Sequence, residues 1–347
     1  MGLFDDIYRD VGVDLGTANT LVYARHRGVI VNEPSVAAVN SKSGTLVSVG
    51  QDAKKMLGRT PAHIKVIRPL VGGVVSDFDM TQEMLRAFLK RARGRALLGW
   101  RRGVIAIPDN LTEVERKSVE DAALAAGCAR AHLIESPVVA ALGAGLPIES
   151  PTASLIVDIG GGTTDISVIS LGGTVISKTL KTAGDKFNED IIRYARDEFK
   201  LAIGEGTAEM CKILVGSVMP LPDPLETSMR GRDLTNGLPR EVAVKNTHIK
   251  AALDRSIKEI LEAVREVIEA TPPELVGDMV HQGIVLCGGG ALLRGLDERI
   301  EKELGVVTRV APDPLTCVIR GLGQIVDDFS GHENLLDNPL KPITINL

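Results

Sequence analysis

At 347 residues, with 44% hydrophobic and 24% charged residues, the chain has the size and composition of a globular protein built as two domains or one large bilobal body. Its net charge of −5 argues against a general nucleic-acid binder, whose affinity would rest on clustered cations. Cys128, Cys211, Cys287 and Cys317 stand far apart, with neither CxxC nor His-Cys spacing, so they suggest no zinc site and no disulfide framework and read as small buried hydrophobes in a reducing compartment.

The opening MGLFDDIYRD lacks the basic start and apolar stretch of a secretory signal, although Leu3, Phe4, Ile7 and Tyr8 form a small apolar set at helical spacing. No apolar run approaches the roughly 20 residues of a spanning helix, so a cytoplasmic protein is expected, with attachment to a membrane surface left open. A buried strand over 10–13 runs into the turn DLGTANT at 14–20 and returns in a second strand over 20–23. Residues 104–107 read as a strand. Thr112, with Glu115 three residues on, is a capping-box start for a helix that ends near Gly127. A strand over 155–157 enters a second turn, DIGGGTTD at 158–165, and returns over 166–169. Residues 220–240, rich in Pro, Gly and Asp, read as a loop or hairpin of a peripheral subdomain. Helical spacing over 251–270 is stopped by Thr271-Pro272-Pro273. A strand over 283–287 then runs into Gly288-Gly289-Gly290 and a helix through Leu304. Strands alternating with helices give an α/β class.

The two acidic-led glycine turns carry the chemistry. Glycine lets the backbone approach a ligand and take positive φ, so that successive N–H groups point at phosphate oxygens, with Thr hydroxyls as further donors. Asp14 and Asp158, each where a strand meets its turn, are the candidate metal ligands, because Mg²⁺ is usually held by one or two carboxylates plus the phosphates themselves. GGGALLRG from Gly288 departs from a dinucleotide fingerprint, since Leu293 takes the last glycine position; it suits a flat backbone against which a nucleoside lies. No GxxxxGK[ST] string occurs, so a P-loop is not the phosphate grip.

Together, DLGTANT, DIGGGTTD and GIVLCGGGALLRG resemble the two phosphate motifs and the adenosine motif of the actin, heat-shock ATPase and sugar-kinase superfamily. NEPSVAAV, IRPLVGGVVSDFD, AGDKFNEDI, IGEGTAE, GLPRE and TPPELVGDM resemble segments of its MreB family of bacterial actins along almost the whole chain. The resemblance implies an actin-like, duplicated ribonuclease-H-like, two-lobed ATPase fold with four subdomains: IA at 1–37, 70–150 and 318–347; IB at 38–69; IIA at 151–185 and 248–317; IIB at 186–247. It implies ATP or GTP with Mg²⁺ as cofactor. It assigns Gly16, Thr17, Ala18 and Asn19 to one phosphate clasp and Gly160, Gly161, Gly162, Thr163 and Thr164 to the other. Glu209, Met210, Cys211 and Lys212 fall on the helix beside ribose and base, and Gly288, Gly289, Gly290, Ala291 and Leu292 on the base's other side.

The family's IEEP is here Ile134-Glu135-Ser136-Pro137, so a serine replaces the carboxylate that orients the attacking water. A hydroxyl cannot accept the water's proton near neutral pH, and loss of a general base typically costs about 10² to 10⁴ in rate. Slow hydrolysis is therefore expected, with Glu135, Ser136 and Thr164 as the candidate catalytic residues. Between Glu83 and Asp109 lie seven Lys and Arg residues and no acid, around Leu97, Leu98 and Trp100 in what reads as a loop from Gly94 to Gly103. With Leu3 and Phe4, these three are the candidate contacts to an anionic membrane surface. The resemblance implies a filament-forming protein, its own copies as partners, peripheral to the inner face of the cell membrane, engaging membrane proteins of the elongation and cell-wall synthesis machinery. The alternative is a small-molecule kinase of the same superfamily, which would need a polar acceptor pocket with its own carboxylate.

Overall fold

The computed structural model describes residues 9–93, 99–109, 111–336 and 343–344. The chain divides into two compact units, residues 1–152, 169–175 and 316–346 forming the first, and 153–168 with 176–315 the second.

In the first unit five strands lie in the order Cys128–Glu135, Trp100–Ile107, Arg9–Leu15, Asn19–Ala24, Gly28–Pro34. The first three are parallel and the last two continue as antiparallel hairpins. Because successive side chains alternate faces along a strand, Val11 and Val13 join the core with Met84, Leu85 and Phe88 of helix Phe78–Arg93, while Gly12 faces the helix Cys317–Asp327. A Cβ on Gly12 would lie 3.0 Å from that of Leu322. Phe88, Met84 and Leu85 are fully buried, each contributing about 1.5–3 kcal/mol. Helix Cys317–Asp327 also crosses helix Ser136–Gly143 at backbone contact: a Cβ on Gly143 would overlap the Cys317 carbonyl, and one on Gly321 the Val139 carbonyl. A small sheet, Leu46–Val49, Ala37–Asn40, Ile64–Ile67, with the short helix Gln51–Lys55, is attached. The expected capping box exists, the Thr112 hydroxyl accepting from Glu115 N ahead of helix Glu113–Ala125.

The second unit repeats the plan, with strands in the order Thr308–Val310, Ile284–Cys287, Ser154–Ile159, Thr164–Ser170, Gly173–Leu180; residues 169–175, at the hairpin's end, count with the first unit. Here too the first three are parallel. In both sheets the glycine turn follows the third strand, which makes the two turns structural equivalents. Residues 220–240 hold the start of the hairpin Glu226–Asp233 and Pro239–Lys245, which with Leu201–Ala202 forms a three-stranded sheet. Helix Asn246–Ala270 begins five residues earlier than its apolar spacing first shows. The glycine cluster after Cys287 does not open a continuous helix: a 3₁₀ turn, Gly289–Leu292, is followed by a separate helix, Leu296–Leu304, because Gly295 at φ 75° turns the chain between them. All four cysteines are free and buried. No helix among the described residues is long and apolar enough to cross a membrane.

Candidate functional site

The first glycine turn links Arg9–Leu15 to Asn19–Ala24 and is fastened by Ser35, which the sequence reading did not single out. Ser35 N donates to the Ala18 carbonyl (3.0 Å) and Ser35 Oγ to the Gly16 carbonyl (2.6 Å). Two of the turn's carbonyls are thereby engaged, so what it can offer an anion is chiefly N–H donors and the Thr17 hydroxyl. Thr17 Oγ1 accepts from Gly73 N at 3.0 Å, leaving its own proton free for donation elsewhere. Gly72 and Gly73, at φ 57° and 79°, form the tight turn of hairpin Leu70–Val71/Val74–Val75, so the backbone of IRPLVGGVVSDFD sets the Thr17 rotamer. Gly16 permits the turn, since a Cβ there would lie 2.7 Å from the Asn19 carbonyl. Ala18 and Asn19 are exposed.

Asp14 is half-buried, and burial pushes its carboxyl up to about 7. A carboxylate penalised in this way gains most from a nearby cation, and its hard oxygen donors suit Mg²⁺. Among the described residues no cluster of three or more His, Cys, Asp or Glu forms a ready cage, so a cation here would draw most of its ligands from phosphate and water.

The second turn is held by a helix start. Gly160 N donates to the Thr163 carbonyl (2.9 Å), while Gly184 N and Asp185 N, opening helix Gly184–Phe199, donate to the carbonyls of Gly160 (3.1 Å) and Gly161 (2.8 Å). Thr163 Oγ1 donates to Asp165 (3.0 Å), and Thr164 Oγ1, fully buried, to the Thr182 carbonyl (2.7 Å). Asp158 pairs in register with Cys287. The following Gly288 has φ 76°, and a Cβ there would overlap both the Asp158 carboxylate and the Ile159 carbonyl; Gly290 packs on Ile159 in the same way. On helix Glu205–Val215, Lys212 Nζ lies 3.1 Å from Glu209 and donates to the Gly184 carbonyl at 3.1 Å. Lys212 is thus wired through Gly184 to the second glycine turn. Met210, on the same helix, and Leu292, in the 3₁₀ turn after Gly288, are 41% and 54% exposed. Cys211 and Ala291 are corrections to the sequence reading: both side chains are buried, Cys211 on the packing face of its helix, and neither lines a surface.

Glu135 N-caps helix Ser136–Gly143 and turns away from it. Its carboxylate accepts from Thr174 Oγ1 (2.9 Å) and pairs with Arg116 (3.7 Å) in a small cavity shared with Leu133, Val138 and Leu335. Burial raises its pKa, with Asp109 adding to the rise and Thr174 and Arg116 opposing it. Ser136 is half-buried at the helix start.

Residues 8–334 match the MreB/Mbl protein family. The chain belongs to the MreB/Mbl family. It is 46% identical over 321 residues to the cell shape-determining protein Mbl of Bacillus subtilis, covering 92% of this chain and 96% of that protein. It is 43% identical to the cell shape-determining protein MreB of Escherichia coli K12, covering 95% and 96%. Among solved structures, MreB5 of Spiroplasma citri bound to ADP superposes with a TM-score of 0.90 at 37% identity, covering 95% of this chain and 99% of that one. The fold is accordingly actin-like.

For an MreB/Mbl-family chain, the apolar residues proposed to meet a bilayer fall out unevenly. Leu3, Phe4, Leu97 and Leu98 lie outside the described residues. Trp100 is a correction: it starts the strand Trp100–Ile107, is 3% exposed, and its indole N–H donates to the Leu89 carbonyl (3.3 Å), so it is core and unavailable for insertion. The surrounding cations are also partly neutralised, mostly by acids outside the run. Arg101 and Arg102 both bind the buried Asp10 carboxylate (2.9 and 2.5 Å), Arg91 pairs with Glu33 (3.2 Å) and Arg86 with Glu83 (2.6 Å).

Proposed function

We propose that this chain is a nucleotide-dependent, filament-forming bacterial actin that binds Mg-ATP or Mg-GTP and maintains cell shape by organising wall synthesis from the cytoplasmic face of the membrane. The observation that carries the nucleotide reading is the continuous hydrogen-bonded run in the second unit from Glu209 and Lys212 through Gly184 to the Gly160 carbonyl. It joins a sugar-side acid and base to a phosphate-side turn, as a nucleoside phosphate requires. Asp158 and Gly288 stand against each other beside that turn, and the first unit carries the other turn with Asp14. Solved MreB5 structures hold ADP and AMPPNP, which supports the same ligand class here.

Asp14 in the first unit and Asp158 in the second are each suited to hold a cation, which when bound offsets the charge of the phosphates. The turn N–H groups and the Thr17 hydroxyl orient the phosphate chain. Ser136 positions water without taking its proton, and Glu135 is committed to Thr174 and Arg116. Hydrolysis is then slow. Steady-state phosphate release should rise about a hundredfold in Ser136→Glu, the lower end of what a general base supplies; unchanged release refutes the role. Calorimetric titration with Mg-ATP, Mg-GTP and Mg-ADP tests the site, and the absence of heat from folded protein overturns it. Light scattering on adding Mg-ATP tests polymerisation.

Peripheral membrane binding is supported by strand register. Arg9 and Trp100 pair at the start of neighbouring parallel strands, and the two apolar sets precede these positions in the sequence. Two weak anchors on one chain bind in concert. In liposome co-sedimentation, Leu97→Ser with Leu98→Ser and Leu3→Ser with Phe4→Ser should each abolish most pelleting on anionic vesicles. Equal pelleting of both double variants and wild type refutes it.

A further inference from the structure

Asn188 is 1% exposed, in the first turns of helix Gly184–Phe199. Its Nδ2 donates to Glu209 Oε2 at 2.6 Å, and its Oδ1 is buried with no hydrogen-bond partner. The amide orientation follows from its partner: an ionised carboxylate only accepts, so the NH₂ must face it. A core position that needed only volume would be better filled by leucine, because an unpaired buried carbonyl is a net cost that an apolar side chain avoids. What the amide gains is one bond to a carboxylate whose side chain is otherwise 43% exposed.

That bond closes a ring. Gly184 and Asn188 are one helical turn apart, as are Glu209 and Lys212 on the facing helix, and Lys212 joins Glu209 to the Gly184 carbonyl. Amide and ammonium both donate to Glu209 Oε2, so that one oxygen is anchored from two elements and the carboxylate is held in one rotamer at the end of the run that reaches Gly160. We propose that Asn188 is a positioning residue that fixes the Glu209 carboxylate to accept a ribose hydroxyl and so confers preference for ribonucleotides over deoxyribonucleotides. This rests on the nucleotide reading of Glu209 given above.

The test is calorimetric titration of the intact protein with Mg-ATP, Mg-2′-deoxy-ATP and Mg-3′-deoxy-ATP. Wild type should bind ATP about tenfold more tightly than at least one deoxy analogue, the scale of one hydrogen bond to a charged group. Asn188→Leu should lower ATP affinity by about the same factor, leave that analogue unchanged and bring the ratio to about one, with no fall in Tm. A purely structural role would instead weaken all three ligands together. Should Asn188→Leu fail to fold, Asn188→Ala carries the same expected ratio. A variant that folds and keeps the wild-type ratio overturns the proposal, as does a wild type that binds ATP and both analogues equally. A wild type that binds none of them overturns the nucleotide reading itself.

Discussion

Asp14 offers the sharpest test of how the first turn works. Burial raises its carboxyl from 3.8 to about 7. The folded state therefore holds a proton on Asp14 that the unfolded chain releases, and the stability tied to this group is fully present below pH about 4 and is lost as pH rises through about 7. A rise of about 3 units at about 1.4 kcal/mol each sets a ceiling of about 4 kcal/mol, and water at the half-buried side chain brings the expected penalty at pH 8 to about 2–4 kcal/mol. Asp14→Asn, which keeps the shape and removes the charge, should be more stable than wild type by that amount in urea denaturation at pH 8 with EDTA and no nucleotide. At pH 5 the gap should fall below about 2 kcal/mol, since much of the wild-type carboxyl is then neutral when folded. Mg-ATP should reverse the order at pH 8, because a bound cation offsets the charge and stabilises only the protein that retains it. Equal stabilities at pH 8, or a gap that does not narrow at pH 5, would refute this account of Asp14 as a buried charge awaiting a cation.

Leu171 and Gly172, at φ 51° and 76°, form a two-residue hairpin turn in which a leucine occupies the left-handed region. Leu171→Asn should raise stability by about 0.5–1 kcal/mol, read as a higher Tm; a lower one would show that the 66% exposed side chain is structurally required. Gly321→Ala forces apart helices Cys317–Asp327 and Ser136–Gly143 and should cost about 1–3 kcal/mol, with neutrality in urea denaturation counting against the close crossing. Asp10 is buried, which alone would raise its pKa, yet hydrogen bonds and charges from Arg102 and Arg101 hold it below the usual range. Asp10→Asn should therefore cost about 2–4 kcal/mol at pH 7, fading as pH falls below about 4, and a pH-independent loss would exclude the ion cluster as the cause.

Both glycine turns were legible from glycine at a strand end behind an acidic lead, although none of Gly16, Gly160, Gly161 and Gly162 takes the positive φ expected of them; at Gly16 it is close backbone approach that requires glycine. Gly288 was legible as a position that requires glycine, but its contact with Asp158 was not, since parallel pairing across more than a hundred residues leaves no local signal. Ser35 and Gly73 were missed for a related reason: each acts only through hydrogen bonds to a turn that is remote in sequence, two from Ser35 and one from Gly73. Trp100 was misplaced because an acid-free, arginine-rich run reads as surface, whereas Asp10, Glu33 and strand pairing to Arg9 supply from elsewhere what the run lacks. Cys211 illustrates the limit of a contiguous helix motif, in which neighbours one residue apart point about 100° away from each other.

The duplication explains how equivalent turns come to have different neighbours. In each sheet the turn follows the third strand, so the backbone plan is repeated, but the brace is not. In the first unit Thr17 is held by Gly73 in the hairpin at 70–75 and the turn carbonyls by Ser35. In the second unit the start of helix Gly184–Phe199 holds the carbonyls, and that helix also carries Asn188. A phosphate that reorients the first turn would therefore press on a short hairpin, and one that reorients the second would press on a sixteen-residue helix linked to Glu209 and Lys212. A hairpin stiffened by only two short strands yields locally, whereas a helix transmits a shift along its whole length. The structural consequence of losing a terminal phosphate should accordingly be largest in helix Gly184–Phe199 and in the helix Glu205–Val215 wired to it.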